Sequence, residues 1–314
     1  MKKSNEKTSI KDEFQKVPIS DQRLIRRLII TATILDDQPE KSIPDACPDW
    51  ATTKATYNFF DNPKVTPDGI LASHYANTIG RMKKYPYVLL IQDTSILDYN
   101  THKCTKGLGP YTKDAHTLGL FMHSVLAVSP CGIPLGLLYQ DIWSREDYPY
   151  RKRTLRQRLP IEEKESFKWL KAMDGSLKMI PDSIKTITVS DRESDIFEFF
   201  QNAIQKETHL VVRAFLNRRI TEEYQHLFEQ VSNSPEEGLC LVDIPRKPEQ
   251  KQPPRKAKLN IRFSPVTICA PSKKSGEDLR LYAIFAQEID APKGQEPIEW
   301  LLLTTIPVAS MSEA

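Results

Sequence analysis

The 314-residue sequence lacks a long uninterrupted apolar run. Its longest candidate, Leu118–Val128, is interrupted by Gly119, His123 and Ser124, whereas a membrane-spanning helix needs roughly 20 mostly apolar residues. The N-terminus is polar and charged, with no apolar segment behind it, so it does not resemble a secretory signal. We therefore expect neither a membrane partner nor export.

Cysteine is also scarce, and its distribution excludes two kinds of site. The five cysteines are scattered, their number is odd, and no pair has the spacing of a metal site: Cys47, Cys104, Cys131, Cys240 and Cys269. This pattern is typical of a reduced cytoplasmic protein without structural zinc. Apolar residues make up 39% of the chain, which is enough for a packed interior and too much for a disordered chain.

The net charge of +3 says little about partners, but the basic residues are concentrated. Ser144–Arg158 and Arg246–Lys258 each contain six basic residues and few acidic ones. Such segments can neutralise phosphates and release counterions. A solvated loop is the alternative interpretation of either segment.

Helical patterns dominate residues 1–70. Asp21 is a candidate N-cap for a helix with apolar residues at helical spacing. A second helix is predicted at Ala51–Phe60 and a third after Pro67.

Short apolar runs then predict a mixed α/β domain over residues 71–314. The predicted order is three strands, a helix, a strand, a helix and a strand: Tyr87–Ile91, His116–Val128, Ile133–Asp141, Ile161–Met179, Ile184–Val189, Ser194–Lys206 and His209–Phe215. Three antiparallel strands followed by alternating helices and strands is the order of a ribonuclease-H-like sheet with helices on both faces. A β-rich insertion is predicted at about 216–305, with strands at Ala257–Ala270, Leu279–Glu288 and Trp300–Thr304.

Two aspartates occupy equivalent settings in this order. Asp93 and Asp191 each follow an apolar strand, and ligand sites of open α/β sheets lie beyond the carboxyl ends of strands. Two neighbouring carboxylates repel each other unless a cation lies between them, and Mg²⁺ prefers oxygen ligands. The alternative is that both residues are turn or cap residues, and Asp98, Asp141 and Asp195 compete for the same role.

Seven ordered segments resemble transposases of the insertion-sequence-four family, in particular those like transposon five. They are Trp50–Pro63, Ile91–Ser95, His123–Leu126, Gly136–Leu138, Ser190–Ile196, Val211–Arg213 and Pro297–Thr304. The resemblance implies a cut-and-paste DNA transposase whose partner is double-stranded DNA with terminal inverted repeats, in the cytoplasm or at the nucleoid. It assigns Asp93 and Asp191 as catalytic acids that hold Mg²⁺, for which Mn²⁺ can substitute.

The resemblance also suggests DNA contacts. Lys54 lies in the segment similar to the family's DNA-binding region. Arg192 and Arg213 are candidate phosphate contacts, and a surface arginine is the alternative for each. Trp300 matches a tryptophan near a base displaced from the stack, and a core tryptophan beside Leu301–Leu303 is its alternative.

One element of the family pattern is missing from the sequence. The third acid of this family is a Glu in a Tyr-x-x-Arg-x-x-x-Glu-x-x-x-x-x-x-Lys pattern, and neither Glu299 nor Glu313 lies in such a pattern. The sequence therefore predicts a C-terminally truncated transposase that does not cleave DNA. The alternatives are a non-catalytic product that binds element ends or inhibits a full-length transposase partner, and an unrelated metal nuclease.

Overall fold

The computed structural model describes residues 9–114, 116–145, 159–246, 253–271 and 276–314. Most of the first basic segment and the middle of the second, at 146–158 and 247–252, lie outside these ranges. The prediction that they contact phosphates is therefore not addressed by the structure.

The N-terminal part is helical, as the sequence predicts. Helices α1 to α5 cover Ile10–Phe14, Gln22–Asp37, Ile43–Ala46, Trp50–Phe60 and Pro67–Met82. The side chain of Asp21 accepts a hydrogen bond from the backbone N–H of Arg23 and caps α2, because the first N–H groups of a helix have no partner within it. A separate small apolar core joins α1, α2, α4 and the start of α5.

The described strands form one mixed sheet. They are β1 Tyr87–Asp98, β2 Gly119–Val128, β3 Pro134–Trp143, β4 Lys185–Ser190, β5 His209–Arg213, β6 Gly238–Ile244, β7 Arg255–Ile268, β8 Leu279–Ile289 and β9 Glu299–Thr304. Their spatial order is β3-β2-β1-β4-β5-β9-β8-β7-β6. The antiparallel meander β1–β3 is confirmed, β4 and β5 run parallel to β1, and β9 to β6 extend the sheet in antiparallel order.

Three further helices, α6 Phe167–Leu177, α7 Phe197–Gln205 and α8 Leu227–Ser232, pack on one face of this sheet. We call it the covered face. Leu90 of β1 and Leu210 of β5 point to it and are fully buried. The alternating neighbours on β1, among them Ile91, are only partly buried or exposed.

The sequence predicted helices on both faces, and the structure corrects this for the ranges that it describes. Along β4 and β5, residues that point toward the helices and are buried alternate with residues that point away from them. The latter, such as Val189 and Val211, are only partly buried. We call this second surface the open face. Among the described residues, no helix has the length and apolar character needed to cross a membrane.

Two strands differ from the sequence prediction. β1 extends past Ile91 to Asp98, because Ser95–Asp98 pair with Gly119–Met122 of β2. β6 was not predicted at all. Its inward residues Cys240, Val242 and Ile244 alternate with exposed ones, and this alternation with a period of two is the local pattern of a strand.

Candidate metal and DNA site

The register of three neighbouring parallel strands, β1, β4 and β5, brings together Asp93, Asp191 and Arg213. Gln92 of β1 pairs with Ser190 of β4, which pairs with Val212 of β5. The next residue of each strand is therefore Asp93, Asp191 and Arg213. Neighbouring strands lie about 4.8 Å apart, and residues at equivalent register point to the same face. The three residues thus lie side by side at the level where β4 and β5 end, and we call them the acid–arginine row.

Asp93 lies within β1 and not at its end, which corrects the sequence interpretation. It pairs with Ser124 of β2 and is exposed. Its Oδ1 accepts a hydrogen bond from the backbone N–H of Thr94 at 2.7 Å. The pairing of β1 with β4, however, stops at Gln92, so the carboxylate lies where the two strands separate.

Asp191 follows the last residue of β4 and is the N-cap of a short 3-10 helix at Arg192–Ser194. Its Oδ1 accepts a hydrogen bond from the backbone N–H of Glu193 at 2.9 Å. The cap role considered in the sequence analysis is therefore real, but it serves this 3-10 helix and not α7, which begins at Phe197. Within the described ranges, Oδ2 of Asp93 and Oδ2 of Asp191 accept no hydrogen bond and remain available to a cation.

Asp195 has a structural place. Its side chain is buried and accepts hydrogen bonds from the backbone N–H groups of Phe215 and Leu216, both at 2.8 Å. The Arg218 guanidinium also pairs with it at 2.6 Å. These contacts hold the chain that leaves β5 just beyond Arg213.

The other two competing acids have local partners. Asp98 accepts a hydrogen bond from the hydroxyl of Tyr111, and Asp141 pairs with Lys171 at 2.6 Å. Neither belongs to the acid–arginine row.

Two arginines lie beside Asp191. Arg192 and Arg213 line a cavity of about 450 Å³ together with Phe215, Phe228 and Glu299, among others. Burial lowers the pKa of Arg213, and the positive charge of Arg192 acts in the same direction, while Asp191 raises it. Two like charges held together in this way favour an anionic ligand such as a phosphate.

Trp300 lies on the open face of β9. Arg213 pairs with Leu302, and Leu302 and Trp300 point to the same side, two residues apart. Trp300 is partly buried against a core of β7 and β8 that also includes Val308. This packing matches the core alternative, and its DNA contact stays a prediction.

Lys54 lies on an exposed surface of α4 that also displays aromatic residues. Trp50 and Tyr57 are 74% and 44% exposed, and they lie four residues before and three after Lys54, a spacing that places all three on one side of a helix. Exposed aromatic side chains grouped on one surface can mark a contact site for a partner. Of these three residues only Lys54 was predicted as a DNA contact, although the helical spacing of Trp50 and Tyr57 is visible in the sequence.

Asp93 and Asp191 offer carboxylate oxygens, which are the hard ligand type that Mg²⁺ takes, and this ion commonly keeps waters and substrate phosphates as its other ligands. Within the described part of the chain, no group of three or more His, Cys, Asp or Glu residues is arranged to hold a metal. Glu299 hydrogen-bonds to Gln287 in the cavity beside Arg213, and Glu313 accepts from the backbone of Ala309.

Comparison with known proteins adds independent information on the N-terminal helices. Residues 7–65 match the family model described as transposase DNA-binding. The segment includes α1 to α4 and therefore Trp50, Lys54 and Tyr57. The match supports a DNA transposase and DNA as its partner.

A cryo-EM structure of a piggyBac transposase synaptic complex with hairpin DNA is also similar. The TM-score is 0.40 at 9% sequence identity, over 94% of this chain and 54% of that chain. The chain thus spans about half the length of that protein.

Proposed function

We propose that this chain is a DNA transposase with a ribonuclease-H-like core, related to the insertion-sequence-four family. The acid–arginine row is the observation that supports this most strongly. Three residues far apart in sequence, Asp93, Asp191 and Arg213, occupy equivalent positions on strands β1, β4 and β5. The strand order β3-β2-β1-β4-β5 and the match of residues 7–65 support the same function.

In this proposal Asp93 and Asp191 hold Mg²⁺ or Mn²⁺ through carboxylate oxygens on the open face. When bound, the metal supplies Lewis-acid stabilisation of a phosphodiester under attack. The side chains of Arg192 and Arg213 bind the phosphate that approaches the two acids, and they orient it by charge-assisted hydrogen bonds.

The exposed surface of α4 forms the second DNA contact. Lys54 binds a phosphate, and Trp50 and Tyr57 provide rigid apolar contact with the duplex. We further propose that the duplex is a terminal inverted repeat of the element that encodes the chain.

Metal-dependent DNA affinity tests the proposal without requiring cleavage. Duplexes with the inverted repeats that flank the gene, and scrambled duplexes, are bound with and without Mg²⁺. We expect preference for the repeats and a gain of affinity with Mg²⁺ for the wild type. Asp93→Asn and Asp191→Asn should lose that gain, because each substitution removes a carboxylate that would hold the metal.

Asp98→Asn is the matched control, since Asp98 is an acid of β1 outside the row. It should keep the gain. Equal affinity for repeat and scrambled duplex, or a gain that survives Asp191→Asn, contradicts the proposal. Cleavage of the repeat in the same samples separates an active strand transferase from a protein that only binds or inhibits at element ends.

A further inference from the structure

Beneath Asp93, on the covered face of the sheet, lies a histidine that the proposed function does not use. His123 of β2 is fully buried. Its Nδ1 lies 2.8 Å from Oγ1 of Thr94, and its Nε2 lies 3.3 Å from Oε1 of Gln92. The two hydrogen-bond partners of the ring are thus the residues directly before and after Asp93 in β1.

The hydrogen-bond chemistry of this contact is defined by its partners. With the Gln92 amide oxygen placed toward Nε2 of His123, that oxygen can only accept, so Nε2 is the donor in this arrangement. The ring nitrogen Nδ1 is then an acceptor, and the Thr94 hydroxyl donates to it. In this arrangement the ring is hydrogen-bonded to the side chains of both neighbours of Asp93, on the covered face of the sheet.

Packing fixes the ring itself. His123 meets Trp169 of α6 edge to face, with ring centroids 4.7 Å apart, and Trp169 is 1% exposed. Because Gln92 and Thr94 point to the covered face, the residue between them points to the open face. The position of His123 is therefore transmitted through the backbone of β1 to the carboxylate of Asp93.

The backbone at this point needs such support. The pairing of β1 with β4 ends at Gln92, and among the described strands the remainder of β1 pairs with β2 alone. A carboxylate on a strand that has lost one neighbour would otherwise vary in position. Metal affinity is sensitive to ligand orientation, because changing the groups that orient metal ligands typically costs about 10- to 100-fold in affinity.

We propose that His123 is a positioning residue for the metal site, which it acts on through Thr94 and the backbone of Asp93. The inference rests on the proposed function, since it requires that Asp93 binds a metal. His123 itself touches neither metal nor DNA.

Two substitutions remove the contact and one preserves it. His123→Leu removes both hydrogen bonds, and Thr94→Val removes only the hydroxyl while keeping a β-branched side chain. His123→Asn keeps an acceptor close to the place of Nδ1, so it retains the bond from Thr94. Ser176→Ala is the control, because it removes the hydrogen bonds that a fully buried hydroxyl of α6 donates to the backbone of its own helix.

The measurement is Mn²⁺ affinity of the full chain with a short duplex oligonucleotide, by electron paramagnetic resonance of free Mn²⁺. We expect His123→Leu and Thr94→Val to weaken Mn²⁺ binding about 10-fold. His123→Asn and Ser176→Ala should bind Mn²⁺ like the wild type. A purely structural role of His123 would instead affect the melting temperature of all His123 variants and leave the Mn²⁺ affinity of Thr94→Val unchanged.

Asp93→Ala distinguishes failure of the positioning role of His123 from failure of the metal site itself. If it abolishes Mn²⁺ binding while Thr94→Val and His123→Leu do not weaken it, the positioning role is overturned and the metal site stands. If Mn²⁺ binding survives both Asp93→Ala and Asp191→Ala, the proposed metal site itself fails. Thr94→Val decides the question even if His123→Leu does not fold.

Discussion

Glu13 of α1 accepts two hydrogen bonds from the guanidinium of Arg81 of α5, at 2.9 and 3.1 Å. Arg81 also donates to the carbonyl of Leu135 in β3 through its Nε, at 2.5 Å. The His74 ring adds a second link, because it contacts Glu13 through Nδ1 and accepts from the backbone of Leu137 through Nε2. This cluster joins the helices that match the DNA-binding model to the edge of the sheet.

Close approach of α5 to β3 depends on Gly136. Its φ is +134°, and a Cβ atom there would lie 2.2 Å from Oγ1 of Thr78 and 2.8 Å from Nη2 of Arg81. A side chain at this position would therefore displace the Arg81 guanidinium from its partners.

The first prediction concerns this cluster. Glu13→Gln removes the charge that neutralises a partly buried Arg81, and we expect a loss of about 2 kcal/mol in the free energy of unfolding. Urea denaturation measures it. The exposed Glu40→Gln is the control and should change stability by less than about 0.5 kcal/mol. Equal effects of the two substitutions would show that the ion pair contributes nothing.

A second prediction concerns the exposed surface of α4. Lys54→Ala should weaken binding to all duplexes alike and reduce the salt dependence of log K by about one unit, because one phosphate contact is lost. Filter binding or fluorescence anisotropy over a salt series measures this. Lys178→Ala removes an equally exposed charge just after α6 and should leave both quantities unchanged. An unchanged salt dependence for Lys54→Ala would show that Lys54 does not contact a DNA phosphate.

Arg213 supports a third prediction. Arg213→Gln keeps most of the side chain but removes the charge next to Asp191, so we expect weaker DNA binding and a lower salt slope. The affinity for Mn²⁺ without DNA should not fall, because the substitution removes a positive charge that repels the cation near the two acids. If Arg213→Gln lowers metal affinity and leaves DNA affinity intact, Arg213 orients Asp191 and does not bind phosphate.

Trp300 allows its two interpretations to be separated. Trp300→Ala should reduce stability by about 3 kcal/mol because it removes a partly buried ring from the β7–β8 core. Trp300→Phe should retain most of that stability. If Trp300→Phe nevertheless loses affinity for terminal-repeat DNA, the tryptophan contacts DNA; if DNA affinity follows stability alone, it is a core residue.

A fifth prediction follows from the pKa of His123. Burial, together with the positive charge of Lys168, lowers this pKa from 6.5 to about 4. Between pH 6.5 and about 4 the unfolded chain binds the proton and the folded chain does not. The contribution of His123 to the free energy of unfolding is therefore fully present above pH 6.5. It falls as the pH drops toward about 4, by up to about 3 kcal/mol.

Thermal unfolding of the wild type and of His123→Asn over this pH range tests the prediction. The variant has no group that titrates at this position, so the stability difference between the two proteins should narrow as the pH falls. A constant difference from pH 7 to pH 4 would contradict the neutral buried ring.

The sequence by itself determined the local elements and their order. Helical spacing and the capping residue Asp21 specify α2, and short β-rich apolar runs specify β1, β4 and β5, because these signals depend only on neighbours along the chain. The same patterns selected Asp93 and Asp191 as candidates. The alternation that identifies β6 was equally local, although the exposed Leu239 and Leu241 obscured it.

Only the tertiary structure decided which of these residues meet. Asp191 lies between Asp93 and Arg213 because the register Gln92–Ser190–Val212 aligns three strands, and register results from packing of whole strands against a common core. The contact of His123 with both neighbours of Asp93 depends on the antiparallel pairing of β1 with β2. Its burial and orientation also depend on Trp169, a residue of α6 that no local pattern connects to it.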